Sequence, residues 1–232
     1  MAFEPQLQHG RRMLAKICQL VTTMDDIYDI YGTLDELKLL TDAIARFVAR
    51  SLLMADYSKA YLTEAKWYHS GYTPTLREYL DNATVSVSGE VILGWGYFCV
   101  ENPITKEAFH YLEQRPNVLQ WTFLIMRLAD DLATWKSEIK RGDVPKSIQG
   151  YMYETGASEE EARQQIRYLL NEAWKKMNRD LFSNPLFSQT FIRVVLGMAQ
   201  LTSCIYPDGE EYDDVLLKST DMAKSLFFEP IP

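Results

Sequence analysis

Apolar residues recur at helical spacing along nearly the whole chain, and this periodicity limits its possible folds more than any other feature. In the first segment the apolar positions lie three or four residues apart: Met13, Ile17, Leu20, Met24, Ile27 and Tyr31. Such spacing places the side chains on one face of a helix. The alternation that is typical of strands extends no further than residues 84–87. The sequence therefore predicts an all-α fold, built as a single helical bundle.

Capping signals, glycines and prolines set the predicted helix boundaries. Thr75 and Ser158 are each followed three residues later by a glutamate, which is the pattern of a capping box at a helix start. Gly32 is a natural terminator of the first helix. The predicted helices are residues 8–31, 34–54, 57–69, 75–87, 90–100, 104–114, 117–140, 158–179, 186–205 and 212–227.

The size and composition are those of one globular domain. The 232 residues, 47% hydrophobic and 24% charged, can form one sizeable core and do not require a second domain. The longest apolar stretch, residues 92–100, is far shorter than the ~20 residues of a membrane-spanning helix. No secretory or transit peptide is recognisable. We therefore expect no membrane association.

The charge of the chain argues against a nucleic-acid partner and favours bound cations. The net charge is −8, and basic residues cluster only in short pairs such as Lys175-Lys176. Binding to a phosphate backbone requires a basic stripe, so no nucleic-acid partner is expected. The cysteines, three in number, and the histidines are scattered, which predicts free thiols in a reducing compartment and no zinc site.

The first acidic constellation is Asp25-Asp26-Ile27-Tyr28-Asp29. Asp25 and Asp29 are one helical turn apart and project from the same face. They precede a helix C-terminus, where negative charge is unfavourable unless a cation is bound. A calcium EF-hand loop does not fit, because Ile27 falls where a ligand is needed and no glycine follows at the sixth position. Taken alone, the motif leaves two alternatives open, a cation site and a solvated acidic helix end.

The second constellation is a stripe of oxygen-bearing side chains, Asp130, Thr134 and Glu138, spaced four residues apart. Carboxylate, hydroxyl and carboxylate together suit a hard cation such as Mg²⁺ or Mn²⁺. Arg127 stands one turn before Asp130, so a cation lies beside these potential ligands. An amphipathic helix with an ordinary charged face is the alternative. Two acidic faces at one mouth of a bundle could together hold metal ions and a diphosphate, above an apolar cavity for an isoprenoid tail.

These motifs resemble those of the plant terpene synthases, and the resemblance runs over nearly the whole chain. Residues 25–29 match the family motif DDxxD, and residues 130–138 match its second metal motif, (N/D)Dxx(S/T)xxxE. Further matching runs are Glu64-Ala65-Lys66-Trp67, Gly142-Asp143-Val144-Pro145-Lys146 and Glu229-Pro230-Ile231-Pro232. Prenyl-chain-elongating synthases are the nearest rival family, but they repeat an Asp-rich motif where this chain has Asp130, Thr134 and Glu138.

The resemblance implies a role for each site residue. Three Mg²⁺ ions are expected, with Mn²⁺ as a substitute. The expected metal ligands are Asp25, Asp26, Asp29, Asp130, Thr134 and Glu138. Arg127 and Lys146 would hold the diphosphate and Tyr206 would contact the substrate, with Asp25, Asp29 and Arg127 as the catalytic set.

The implied activity is that of a lyase that ionises a prenyl diphosphate and converts the carbocation into a terpene. Geranyl diphosphate is the preferred substrate and farnesyl diphosphate the second. A monoterpene synthase of this type would be a monomer in the plastid, and otherwise the protein would be cytoplasmic. The alternative is a catalytically inactive, truncated helical domain that binds metal-diphosphate or a protein partner.

Some segments that are typical of the family have no counterpart in this chain. An N-terminal helical domain and an Arg-x-Arg motif have no counterpart before Asp25. Near residues 47–58 the chain also lacks about 40 residues, a helix pair that the family's bundle would contain. Residues 1–232 are therefore interpreted as a metal-binding catalytic domain in fragment form, with an internal gap.

Overall fold

The computed structural model describes residues 7–47, 52–142, 144–181, 183 and 186–206. All regular structure in these ranges is helical, which confirms the predicted all-α class. The α-helices are α1 (Gln8–Asp26), α2 (Leu34–Phe47), α3 (Leu52–Ser70), α4 (Leu76–Ser86), α5 (Gly89–Val100), α6 (Lys106–Glu113), α7 (Asn117–Arg141), α8 (Ser147–Thr155), α9 (Glu159–Asp180) and α10 (Gln189–Ile205).

The predicted caps form as the sequence indicates. Thr75 accepts a hydrogen bond from the backbone N–H of Glu78, and the Glu78 carboxylate accepts one from the backbone N–H of Thr75. Ser158 and Glu161 make the same reciprocal pair at the start of α9. Gly142 ends α7 in the left-handed conformation, at φ 85°, which glycine adopts without the steric cost that a side chain would add.

The long helix α7 lies at the centre of the bundle. It packs against α9, α10, α4, α5 and α8, while α1 packs against α5 and α2 against α3. Leu119, Ile125 and Leu128 of α7 are almost completely buried. Because α7 is enclosed on most sides, the polar face that carries Asp130, Thr134 and Glu138 can meet solvent only through a cavity.

Three predicted helices differ clearly from the structure in their boundaries. The helix predicted over residues 8–31 ends as α-helix at Asp26 and continues as a π-helical turn, Ile27–Tyr31. The N–H of Gly32 donates to the carbonyl of Ile27 at 2.8 Å, which closes that wider turn. The helix predicted over residues 34–54 is described as α2 only to Phe47, and the helix predicted to start at residue 57 already begins at Leu52. The segment between them and the helix predicted over residues 212–227 lie outside the described residues.

One helix, α8, was not predicted. The sequence around it contains Pro145, Gly150 and Gly156, which are ordinary loop signals. Tertiary contacts supply what the local pattern does not. The Ser147 N–H donates to Asp131 of α7, and the Glu154 carboxylate accepts from the backbone of α4.

The stretch Leu76–Val100 comprises α4 and α5. By length and composition alone, it is long and apolar enough to cross a membrane. It exceeds the apolar stretch of residues 92–100 on which the sequence-based expectation rested. However, 61% of its most apolar 18-residue segment is buried inside the bundle, as in the core helices of many proteins. The structure thus gives this stretch a core role, and the absence of membrane association stays a prediction.

Candidate functional site

A cavity of about 460 Å³ lies beside α7 and is walled by α1, the π-helical turn, α3, α7 and α10. The structure brings every residue that was assigned a metal, substrate or catalytic role from the sequence to this one cavity. Its lining includes Asp25, Asp26, Asp29, Arg127, Asp130, Thr134, Glu138, Lys146 and Tyr206. Residues that are about a hundred positions apart in the chain therefore share one site.

The first acidic wall comes from the end of α1 and the turn that follows it. Asp25 accepts a hydrogen bond from the hydroxyl of Tyr61 on α3. Burial and the charge of Asp25 raise the pKa of Tyr61 well above its ordinary value, so the phenol stays protonated and donates. The Tyr61 ring packs edge-on against Tyr57 at 5.0 Å, and this contact fixes its position. Tyr61 was not predicted from the sequence, because only the packing of α3 against α1 brings it to Asp25.

The second acidic wall is the face of α7. Asp130 faces the cavity, while Thr134 and Glu138 are almost completely buried. The Thr134 hydroxyl donates to the backbone carbonyl of Asp130 at 2.9 Å, so its own oxygen can still serve as an acceptor or ligand. Lys146 Nζ lies 4.0 Å from Glu138 Oε1 and places a cation beside this wall.

Arg127 stands between two adjacent carboxylates. Its Nη2 atom forms an ion pair with Asp130, and its Nε atom lies 2.8 Å from Oδ1 of Asp131. The second contact is a close ion pair rather than an aligned hydrogen bond. Burial opposes the charge of the guanidinium, but Asp131 and the other acidic neighbours keep the pKa of Arg127 well above its ordinary value. Burial likewise opposes the charge of Lys146, and Glu138 raises the pKa of this lysine.

The donor set fits a hard divalent cation. Within the ranges that the structure describes, no three acidic, His or Cys side chains are gathered closely enough to bind one ion by themselves. Mg²⁺ does not require such a cluster, because it keeps several waters and usually takes one or two carboxylates together with substrate phosphates. The facing walls supply carboxylate and hydroxyl oxygens, and Arg127 and Lys146 supply the charge that a bound anion needs.

A larger groove, of about 830 Å³, lies on another side of α7. It is lined by α4, α7 and α8 residues such as Leu80, Trp121 and Tyr151, and by none of the motif residues. Its size alone does not indicate chemistry. The smaller cavity is the functional candidate, because acidic side chains and the buried cations Arg127 and Lys146 converge there.

The whole chain is similar to proteins of one family. The sequence profile of the "Terpene synthase family, metal binding domain" matches residues 1–53 and 49–176. A (−)-alpha-terpineol synthase of Vitis vinifera is 42% identical over 269 aligned residues, covering 99% of this chain and 46% of that protein. A chloroplastic myrcene synthase of Quercus ilex is also 42% identical and is covered to 45% of its length. The chain thus spans about half the length of the curated relatives it matches.

Solved structures show the same architecture. Isoprene synthase from grey poplar leaves (Populus x canescens), in complex with three Mg²⁺ ions and dimethylallyl-S-thiolodiphosphate, has a TM-score of 0.89 and 33% identity, over 100% of this chain and 52% of that chain. Limonene synthase with 2-fluorolinalyl diphosphate has a TM-score of 0.90 and 31% identity, over 98% of this chain and 49% of that chain.

Proposed function

Because the chain belongs to the terpene synthase family, we propose that it ionises a prenyl diphosphate and converts the resulting carbocation into a terpene. The observation that carries the proposal is the single cavity in which two acidic helix faces meet two buried cations. The chain corresponds to about half the length of its curated relatives, so its own catalytic activity has to be measured directly.

We assign the metal ligands to the two walls. Asp25, Asp26 and Asp29 would hold Mg²⁺ from one side, and Asp130, Thr134 and Glu138 from the other. Three ions are proposed, which is the number in the isoprene synthase complex. Mg²⁺ bound there would neutralise the charge that develops on the departing diphosphate, and Mn²⁺ could supply the same chemistry.

The chain's own cations bind and orient the diphosphate. Arg127 and Lys146 are held in the cavity wall by neighbouring carboxylates, Asp131 beside Arg127 and Glu138 beside Lys146, so they need little movement to meet an anion. Tyr206, at the end of α10, lines the same cavity and is the proposed substrate contact on that side. No side chain is required as a nucleophile.

The apolar part of the lining would hold the isoprenoid tail. Val87, Met126, Met198, Leu201 and Ile205 line the cavity beside the charged groups. Such a lining excludes water from the carbocation, and water would otherwise quench it to an alcohol. Geranyl diphosphate is the proposed substrate because relatives that cover nearly the whole chain are named for the monoterpenes terpineol and myrcene. Farnesyl diphosphate is the second choice.

A second candidate function is binding of metal-diphosphate, or of a protein partner, without turnover. The family profile matches in two pieces that meet at residues 49–53, and the alignment to a relative is longer than the chain itself. Both observations support the proposed internal gap near residues 47–58. If the absent residues complete the cavity wall in the relatives, this chain could bind its ligand without enclosing it. The proposed plastid location rests on the chloroplastic names of relatives, and the monomeric state on the resemblance alone.

The deciding experiment incubates the purified protein with geranyl or farnesyl diphosphate and Mg²⁺, and identifies products by gas chromatography with mass spectrometry. We expect a terpene from geranyl diphosphate and a smaller yield from farnesyl diphosphate. The Asp25→Ala and Asp130→Ala variants are the matched controls and should give none. Saturable binding of Mg²⁺-pyrophosphate with no product from either substrate would select the second candidate. Absence of both would contradict the enzymatic proposal and the binding of metal-diphosphate.

A further inference from the structure

Asp131 is a charged side chain in the wall of the site that the proposed mechanism has not used. It directly follows the proposed metal ligand Asp130, yet it is completely buried and does not line the cavity. A buried carboxylate is stable only when it is paired and hydrogen-bonded. The partners of Asp131 therefore indicate why it is there.

Three different elements supply those partners. Oδ1 lies 2.8 Å from Nε of Arg127 and accepts a 2.8 Å hydrogen bond from the hydroxyl of Tyr79 on α4. Oδ2 accepts a 3.2 Å hydrogen bond from the backbone N–H of Ser147, the first residue of α8. Ser147 directly follows Lys146, so one carboxylate fixes Arg127 directly and the backbone that carries Lys146. These are the two cations proposed to hold the diphosphate.

Arg127 has two carboxylate partners, but they are not equivalent. Asp130 faces the cavity, and its oxygens are needed for a metal ion in the proposed mechanism. A metal ion held by Asp130 would compete with Arg127 for the charge of this carboxylate and weaken their ion pair, which would leave Nη2 available to an anion. Asp131 is sealed from the cavity, so its contact with Nε can persist in both states.

We propose that Asp131 is a positioning residue, which holds Arg127 and the segment of Lys146 in the orientation that binds diphosphate and is not itself a metal ligand. This inference rests on the proposed function, because it assumes that the two cations meet a diphosphate. The rival explanation is purely structural, namely that Asp131 only ties α7 to α4 and α8. In that case the Asp131→Asn variant would lose stability without a selective loss of anion binding.

The test compares adjacent residues with the same substitution, Asp131→Asn and Asp130→Asn. Binding of inorganic pyrophosphate is measured by isothermal titration calorimetry at increasing Mg²⁺ concentration, after circular dichroism has shown that each variant is folded. For Asp131→Asn we expect affinity to fall by about 10- to 100-fold, the range for residues that orient a ligand-binding group, and high Mg²⁺ should not restore it. For Asp130→Asn, rising Mg²⁺ should recover much of the loss, because that variant weakens the metal site itself.

A spectroscopic readout makes the inference independent of ligand binding. The Nε–H signal of Arg127 in a ¹H–¹⁵N spectrum, assigned by its loss in Arg127→Gln, should shift and lose protection from solvent exchange in Asp131→Asn. Arg115 is an internal reference, because its Nε donates to Glu90 at 2.6 Å and should not change. Tyr79→Phe removes one hydrogen bond from Asp131 and should give smaller effects of the same sign, which provides a test if Asp131→Asn does not fold.

The outcomes separate the two proposals. Wild-type protein that does not bind Mg²⁺-pyrophosphate would contradict the proposed function of this chain, and the Arg127 signal would then decide the inference alone. Wild-type protein that binds, together with a folded Asp131→Asn variant of equal affinity or with an unchanged Arg127 signal, would overturn the positioning role and leave the proposed function standing.

Discussion

Arg127 and Lys146 keep their charge in the wall of the cavity although burial opposes it. Each is held by a carboxylate, Asp131 beside Arg127 and Glu138 beside Lys146. A cation fixed in this way can stabilise a developing negative charge without reorganising its surroundings. The charged residues of the site therefore act as a preorganised set rather than as flexible surface groups.

Asp25 and Asp26 are adjacent, but the proposed site uses them unequally. Successive residues on an α-helix point about 100° apart, and of the two only Asp25 accepts the Tyr61 hydrogen bond. In an active protein, Asp25→Asn should lower kcat by roughly 100-fold or more, as expected when a group that acts in the transition state is lost. Asp26→Asn should cost clearly less. Steady-state kinetics with geranyl diphosphate and varied Mg²⁺ measure both, and an Asp26→Asn variant as damaged as Asp25→Asn would contradict the assignment.

Glu90 gives a prediction about pH and stability. Burial raises the pKa of its carboxyl group, and the hydrogen bond from Arg115 only partly offsets this effect. The folded state then binds a proton more readily than the unfolded state, so the contribution to stability is fully present below the unfolded pKa of about 4.3. It is lost as pH rises through the folded value. The free energy of unfolding of wild type relative to Glu90→Gln should therefore fall with rising pH above about 4.3. Urea titrations across that range measure it, and a relative gain with pH would refute it.

At the scale of helices, the elements with strong local signals were predictable. α4 and α9 begin at the predicted capping boxes, and α7 follows its apolar period. α8 was missed because its signals are not local, and it is fixed by Asp131 and by the contact of Glu154 with α4. The π-helical turn after Asp26 was missed because its hydrogen bond differs from an α-helical one by a single residue. Periodicity cannot resolve that difference.

Gly150 in α8 and Gly89 at the start of α5 form a matched pair for testing how tightly these helices are packed. A methyl group at Gly150 would make only ordinary contacts, the nearest at 3.4 Å, whereas at Gly89 it would lie 2.6 Å from the Phe123 ring. Gly150→Ala should stabilise the protein by about 0.5–1 kcal/mol, because alanine favours a helix and restricts the unfolded chain. Gly89→Ala should destabilise it by about 1–3 kcal/mol through overpacking. Thermal unfolding of both variants checks this, and opposite signs are the required result.

At the scale of the whole molecule, the two motifs were recognisable in the sequence but their supports were not. Residue types and spacing suggested cation binding by residues 25–29 and 130–138, and the structure places both around one cavity. Tyr61 and Asp131 support that cavity through contacts between distant helices. The four-residue spacing separates Asp130 from Asp131 as a candidate ligand, but it does not indicate what Asp131 does. The role of Asp131 follows from its burial, and burial depends on how α4, α7 and α8 pack together.

The cavity has an acidic part and a basic part, so metal and anion should stabilise the fold only in combination. Mg²⁺ alone meets no preformed group of three ligands in the described part of the chain, and pyrophosphate alone meets carboxylates as well as Arg127 and Lys146. Together each ligand neutralises the other. When both ligands are present at 100 times the dissociation constant, binding to the folded state adds about 2.7 kcal/mol to its stability. This corresponds to a rise in Tm of roughly 5–10 °C for a chain of this size.

Differential scanning fluorimetry with Mg²⁺, with pyrophosphate and with both should show a large shift in Tm only when both are present. The double variant Asp25→Asn/Asp130→Asn should abolish the shift, and an equal shift with pyrophosphate alone would show that the acidic walls are not needed for binding.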